Sequence, residues 1–294
     1  MEKLKNIAPD GEPLEAIYLP EKGMNLISYR KGETEIIDQE TLPLFKERFA
    51  GLGALIGPHF HEQPSPLADF DLSLFPHAKT MIAEGRKDCF SHGIGRYASW
   101  KFVKSDTQIQ AELKGSDTFH GIPLKQIEGQ DFHMKYQARL LSDGLFISYF
   151  IESERPSVVG LHTYYALKGK GVLVGEVEEK FRFQKTWKPL PKEWTHVRPT
   201  SLDFFLPQTA DFGFVPKLKH ETDHAYQMLL KTDAYELHIE LNTASNEEIS
   251  FQVFSPENAS YVCLEPLSAR CPPKPRLTRS HLETKLQVFD INPS

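Results

Sequence analysis

The chain has 294 residues, 40% hydrophobic and 25% charged, the make-up of a globular protein long enough to bury a large core. Its net charge of −6, with acidic and basic residues interspersed, offers no basic face for a phosphate backbone and no polybasic segment for an anionic membrane. Nucleic acid and membrane partners are therefore not expected.

The opening MEKLKNIAPDGEPLEAIYLP lacks the continuous apolar core of a signal peptide, and no later run of about 20 apolar residues is long enough to span a bilayer. A cytoplasmic protein is the simplest expectation. One domain, residues 1–294, is expected as well, because large β-sandwiches commonly run to this length.

Taken in chain order, AIYLPE (16–21), MNLISYRKG (24–32) and TEIID (34–38) read as strands, and ETLPLFKERFAG (40–51) as a short helix. HMKYQARLL (133–141) and LFISYFIES (145–153) alternate with the two-residue period of half-buried strands and flank Ser142-Asp143-Gly144, so a hairpin is expected. GVLVGEVEEKFRFQ (171–184), YELHIELNT (235–243), EISFQVFS (248–255) and KLQVFDI (285–291) continue the pattern. Frequent Gly and Pro disfavour long helices. The expected fold is all-β, with two large sheets packed face to face and the polar site on a concave face or in end loops.

The residues able to carry chemistry are spread along the chain. GPHFHEQ (57–63) holds His59 and His61, SHGIGRYASW (91–100) holds His92 and Arg96, DTFHGIPL (117–124) holds His120, and VGLHTYYAL (159–167) holds His162 beside two tyrosines. An aromatic wall suits the apolar faces of a sugar ring, while an imidazole beside it can donate a proton near neutral pH. Arg96 can present a planar fork to a carboxylate or phosphate. Glu265, in YVCLEPLSA (261–269), follows an apolar strand; desolvation there raises a carboxyl toward the range of a general base. Each also has a bland reading, as a satisfied core histidine, an exposed arginine or a structural carboxylate. Cys89, Cys263 and Cys271 are odd in number with no CxxC pair, which argues against a disulfide framework or a thiolate zinc site.

In order, these pieces resemble the aldose 1-epimerase (galactose mutarotase-like) family. GMNLISYRKGETEIID is similar to the family's Gly-x-x-Leu-x-Ser opening, and HGIGRYASW to its His-Gly element, in the wording of the hexose-6-phosphate branch. LHTYYAL is similar to the His-x-Tyr-Phe element, ETDHAY (221–226) to the Asp-His element and CLEP (263–266) to the segment bearing the catalytic Glu.

The resemblance implies a β-supersandwich of two large antiparallel sheets and an enzyme, free of metal and cofactor, that interconverts α and β anomers of a hexose or hexose phosphate. Glu265 would be the base at the C1 hydroxyl and His162 the acid at the ring oxygen. His92 and Asp223 would bind sugar hydroxyls, and Arg96 an anionic group. The sequence departs from the family where an early arginine is usual: IGPHFHEQ stands there instead, which makes His59 and His61 the altered rim of the expected sugar pocket. HTYYAL also lacks the usual Pro-Tyr-Phe-Asn wording. Two other readings stay open. One is a non-catalytic sugar-binding protein on the same fold. The other is a cupin-like metal site, because residues two apart on a strand, such as His59 and His61, share a face.

Overall fold

The computed structural model describes residues 1–62, 71–184, 186–195, 198–242 and 248–291. Within them the alternating segments do form strands. Phe132–Leu141 and Gly144–Ser153 make the expected hairpin, Leu141 facing Gly144 across the turn. The expected helix is real but short, a single-turn 3-10 segment at Gln39–Thr41 followed by Leu42–Arg48. TEIID shortens to Thr34–Glu35, because the Glu35 carboxylate accepts the amides of Tyr29 and Ile37 at 3.1 and 2.9 Å and turns the chain. Gln63 at the end of GPHFHEQ and Thr243 at the end of YELHIELNT lie outside the described residues. Strands at Lys101–Lys104, Gln108–Lys114, Ser201–Leu206, Ala210–Pro216 and Ala225–Thr232 were not legible, nor was the helix Pro76–Ala83.

Six strands frame the site: β1 (Gly53–Ile56), β2 (Gly160–Ala166), β3 (Gly171–Phe183), β4 (Ala210–Pro216), β5 (Ser250–Ser255) and β6 (Tyr261–Leu267). The first sheet runs Glu2–Ile7, Pro13–Leu19, Asn25–Lys31, β1, β2, β6, β5, β4, β3, Thr186–Pro189, every neighbour antiparallel. The second runs Lys101–Lys104, Gln108–Lys114, Phe132–Leu141, Gly144–Ser153, Arg279–Asp290, Tyr235–Asn242, Ala225–Thr232, β3, Ser201–Leu206. The thirteen-residue β3 belongs to both. Its first half pairs with Ala225–Thr232 and its second half with β4.

Buried side chains of the two sheets interdigitate into one large core. Tyrosine hydroxyls tie the layers together: Tyr29 donates to the Leu286 carbonyl at 3.0 Å and Tyr235 to the Ala166 carbonyl at 2.8 Å. Burying a tyrosine hydroxyl without such a partner is costly. No helix among the described residues is long and apolar enough to cross a membrane.

Candidate active site

The polar residues of the first sheet fall on a single register row. His162 on β2 faces Ala54 on β1; one step along from the Thr163–Leu264 pair, it also faces Glu265 on β6. Glu265 faces Gln252 on β5, Gln252 faces Gly213 on β4, and Gly213 faces Arg182 on β3. Directly opposed residues of antiparallel strands share a face, so these side chains all emerge on one side. Gly213 is essential to the row. A β-carbon there would lie 2.7 Å from Arg182 Nη2 and 2.9 Å from Gln252 Oε1, and its absence lets Arg182 lean across β4 to donate to Gln252 at 2.7 Å. Gln252 in turn donates to Asp211 Oδ1 at 2.7 Å. Tyr164, two residues beyond His162, stacks on its ring at a centroid distance of 5.0 Å. Cys263, two residues before Glu265, brings its sulfur to 3.6 Å from His162 Nδ1.

His92 and Arg96 arrive from a loop laid over this row. The Gly57 amide donates to the His92 carbonyl, the His92 amide to the His61 carbonyl, and the Gly95 amide to the Gly57 carbonyl. This stitching needs Gly93, whose φ is +88° and whose added β-carbon would sit 2.2 Å from the Gly57 oxygen. The His92 ring meets His162 edge-on at 4.9 Å and Phe60 at 5.2 Å, and its Nδ1 accepts the His61 amide at 3.3 Å. In the neutral ring that bond leaves the proton on Nε2. Arg96 is 4% exposed and donates from Nε to the Leu55 carbonyl at 3.2 Å.

His59 does not form the rim of a sugar pocket. Its Nε2 meets Asp88 Oδ2 at 2.8 Å and its Nδ1 meets Glu128 Oε1 at 2.5 Å, so neither nitrogen is left for a sugar or a metal. Burial alone would lower this imidazole, but the Glu128 charge and the bonds from both carboxylates outweigh it and raise the group to about 10. The cation ties three segments together, because Asp88 also accepts the Phe90 amide and Glu128 the Ile94 amide. GPHFH is thus scaffolding for the His92–Arg96 loop. His59 and His61 lie in a bend rather than on a strand, so the same-face metal clamp does not form. His61 stays exposed at the edge of the site, its ring 6.0 Å from that of His92.

His162 Nε2 lies 3.2 Å from Glu265 Oε1, with His162 6% and Glu265 2% exposed. Burial pushes Glu265 up to about 8, against the pull of Arg96. Burial, reinforced by the Arg96 charge, pushes His162 well below the usual imidazole range. Between those limits the pair holds one proton, which belongs to both groups. Three buried polar atoms of the pair and its neighbours lack a partner among the described residues: Glu265 Oε2, Arg96 Nη2 and Arg182 Nε. Orphaned buried polar atoms are costly. Among the described residues, only His162, Cys263 and Glu265 bring three metal-type donor atoms within 4.8 Å of one another.

The structure therefore gathers Glu265, His162, His92 and Arg96 and sets His61 at their edge. Asp223 lies apart from the row's hydrogen bonds, in the turn before Ala225–Thr232, where its carboxylate accepts the His220 amide at 2.8 Å. The carboxylate bonded into the row is Asp211. Sequence reasoning missed Asp211, Gln252 and Arg182, whose neighbours in the chain carry no distinguishing pattern. Cys263 had a usable signal, sharing a strand face with Glu265, but reads by itself as an incidental thiol.

No sequence-family description and no curated protein matches the chain. Solved structures do. A galactose mutarotase-like protein from Clostridium acetobutylicum superposes with a TM-score of 0.64 at 13% identity, over 99% of each chain. Another from Lactobacillus casei gives 0.63 at 12% identity, over 98% of this chain and 100% of that one. A galactose mutarotase related enzyme from Lactobacillus acidophilus gives 0.61 at 12%, over 100% and 98%. With its strands, its shared sheet face and these full-length superpositions, the chain has the galactose mutarotase-like fold.

Proposed function

We propose that this protein is an aldose 1-epimerase-like isomerase that interconverts the α and β anomers of a hexose or hexose derivative by acid/base ring opening. The observation that carries the reading is the buried His162–Glu265 pair, 3.2 Å apart beside orphaned polar atoms. Ring opening removes a proton from the C1 hydroxyl and adds one to the ring oxygen, so it needs an ionised base and a protonated acid at once. The pair supplies that state when its proton sits on His162.

Glu265 takes the C1 hydroxyl proton as the C1–O carbonyl forms. His162 protonates the ring oxygen as the bond from C1 to that oxygen breaks. Rotation about C1–C2 and closure on the opposite face return both protons. Each positioned group contributes roughly 10²–10⁴-fold. His92 donates from Nε2 to a sugar oxygen, Asp211 and Gln252 orient hydroxyls, and Tyr164 and Phe60 offer aromatic faces to the ring.

Proton NMR of a freshly dissolved single anomer, with and without protein, tests the proposal. Faster equilibration that disappears in Glu265→Gln supports it. No acceleration with neutral, carboxylated or phosphorylated aldoses would end it, and sugar-dependent thermal stabilisation without anomerisation would point to a binding protein instead.

A further inference from the structure

Arg182 is the row's unexplained member. It is 5% exposed, held by Gln252 Oε1 at 2.7 Å and by the Gln184 carbonyl at 3.4 Å, both neutral acceptors. Its Nε is buried without a partner among the described residues. Arg96, 4% exposed, is likewise held by a carbonyl and has Nη2 unpartnered. Among the described residues neither guanidinium forms an ion pair, although both act on the Glu265 charge. Burying one unpaired cation is expensive, and burying two around one carboxyl demands a reason.

The two arginines reach the same centre from opposite ends. Arg96 comes from the overlying loop. Arg182 comes along the sheet, its guanidinium 5.9 Å from the Phe60 ring that touches His92.

We propose that Arg182 and Arg96 together bind an anionic substituent on the sugar, and that this substituent is a carboxylate, as on an aldohexuronic acid. This rests on the anomerisation reading and specifies its substrate class.

The choice of a carboxylate follows from donors and charge. The orphaned nitrogens are Arg96 Nη2 and Arg182 Nε, a match for two carboxylate oxygens rather than the three terminal oxygens of a phosphate monoester. Two guanidinium charges stand against one carboxylate, Asp211, while His92 is held neutral by burial and the His162–Glu265 pair carries its single proton. The remaining single positive charge suits a monoanion. Gly213 belongs to the same device, since it is what lets Arg182 cross β4.

Anomerisation rates by NMR for glucose and galactose, glucuronate and galacturonate, and glucose 6-phosphate test this on the unmodified protein. The uronates should show the highest kcat/KM. Arg182→Gln should lower the uronate-to-neutral ratio by roughly 10- to 100-fold, mainly through KM, as expected for a lost charge-assisted bond. Arg182→Lys, which keeps the charge without the fork, should recover part of it. A preference for the 6-phosphate or for neutral hexoses in the unmodified protein would overturn the assignment, as would an equal loss on all sugars in Arg182→Gln. If no sugar is anomerised, thermal stabilisation by glucuronate decides separately. Stabilisation that is lost in Arg182→Gln keeps the anion site and removes only the catalytic reading, and its absence in the unmodified protein overturns both.

Discussion

Replacing Glu265 by glutamine separates the chemistry of the site from its stability. The carboxyl is 2% exposed and its ionisation is pushed from an ordinary 4.5 to about 8 by burial. In an unfolded chain it ionises near its ordinary value, so the folded state binds its proton more tightly. The stability it contributes is complete below about 4.5 and is lost as pH rises through about 8. At roughly 1.4 kcal/mol per pKa unit, the loss relative to a group that cannot ionise is about 1 kcal/mol at pH 5 and about 4 kcal/mol at pH 8.

Glu265→Gln keeps the shape and a hydrogen bond toward His162 but cannot ionise. It should therefore gain on the parent by about 3 kcal/mol between those two pH values, a few degrees in Tm for a chain this long. Thermal unfolding of both proteins at intervals from about pH 5 to 9, beside anomerisation rates, reads the two effects together. The variant should be inactive and increasingly the more stable of the two as pH rises. Parallel Tm curves would mean that Glu265 ionises at an ordinary value, and the shared-proton argument would fall.

Other outcomes follow from the same geometry. Anomerisation should decline as pH rises through about 8, because the His162–Glu265 pair then loses its only proton; a rate that keeps climbing above that point would contradict the pairing. His59→Ala leaves Asp88 and Glu128 without their shared cation, and denaturant unfolding should show a loss of about 3–5 kcal/mol. Because the His59 ring is raised to about 10, its contribution should persist through neutral pH and fade as pH rises toward that value. Gly213→Ala places a methyl 2.7 Å from Arg182 Nη2, so kcat/KM for the preferred sugar should fall while denaturant unfolding shows a stability loss of no more than about 1–3 kcal/mol from overpacking strain.

Much of the fold was legible because strand formation is local. Alternation in HMKYQARLL and LFISYFIES is a property of neighbouring residues, and Asp143-Gly144 sets the hairpin within the same stretch. Ala210–Pro216 was opaque because six of its seven residues are buried, which erases alternation and with it any hint of Asp211 and Gly213. Asp223 attracted notice through the wording around it, yet its carboxylate serves a local turn, while Asp211 has no such wording and sits in the row.

The sequence by itself determined the all-β character and the hairpin, and it marked Glu265 at the end of an apolar run and His162 beside two tyrosines as candidates. Each depends on residues close in the chain. Tertiary structure alone decided which groups meet. The row from His162 through Glu265, Gln252 and Gly213 to Arg182 is a consequence of strand register between segments far apart in sequence. The task of His59 was decided the same way. Nothing in GPHFHEQ reveals that Asp88 and Glu128 close on that ring, and once they do, long-range pairing of buried charge makes it a structural cation.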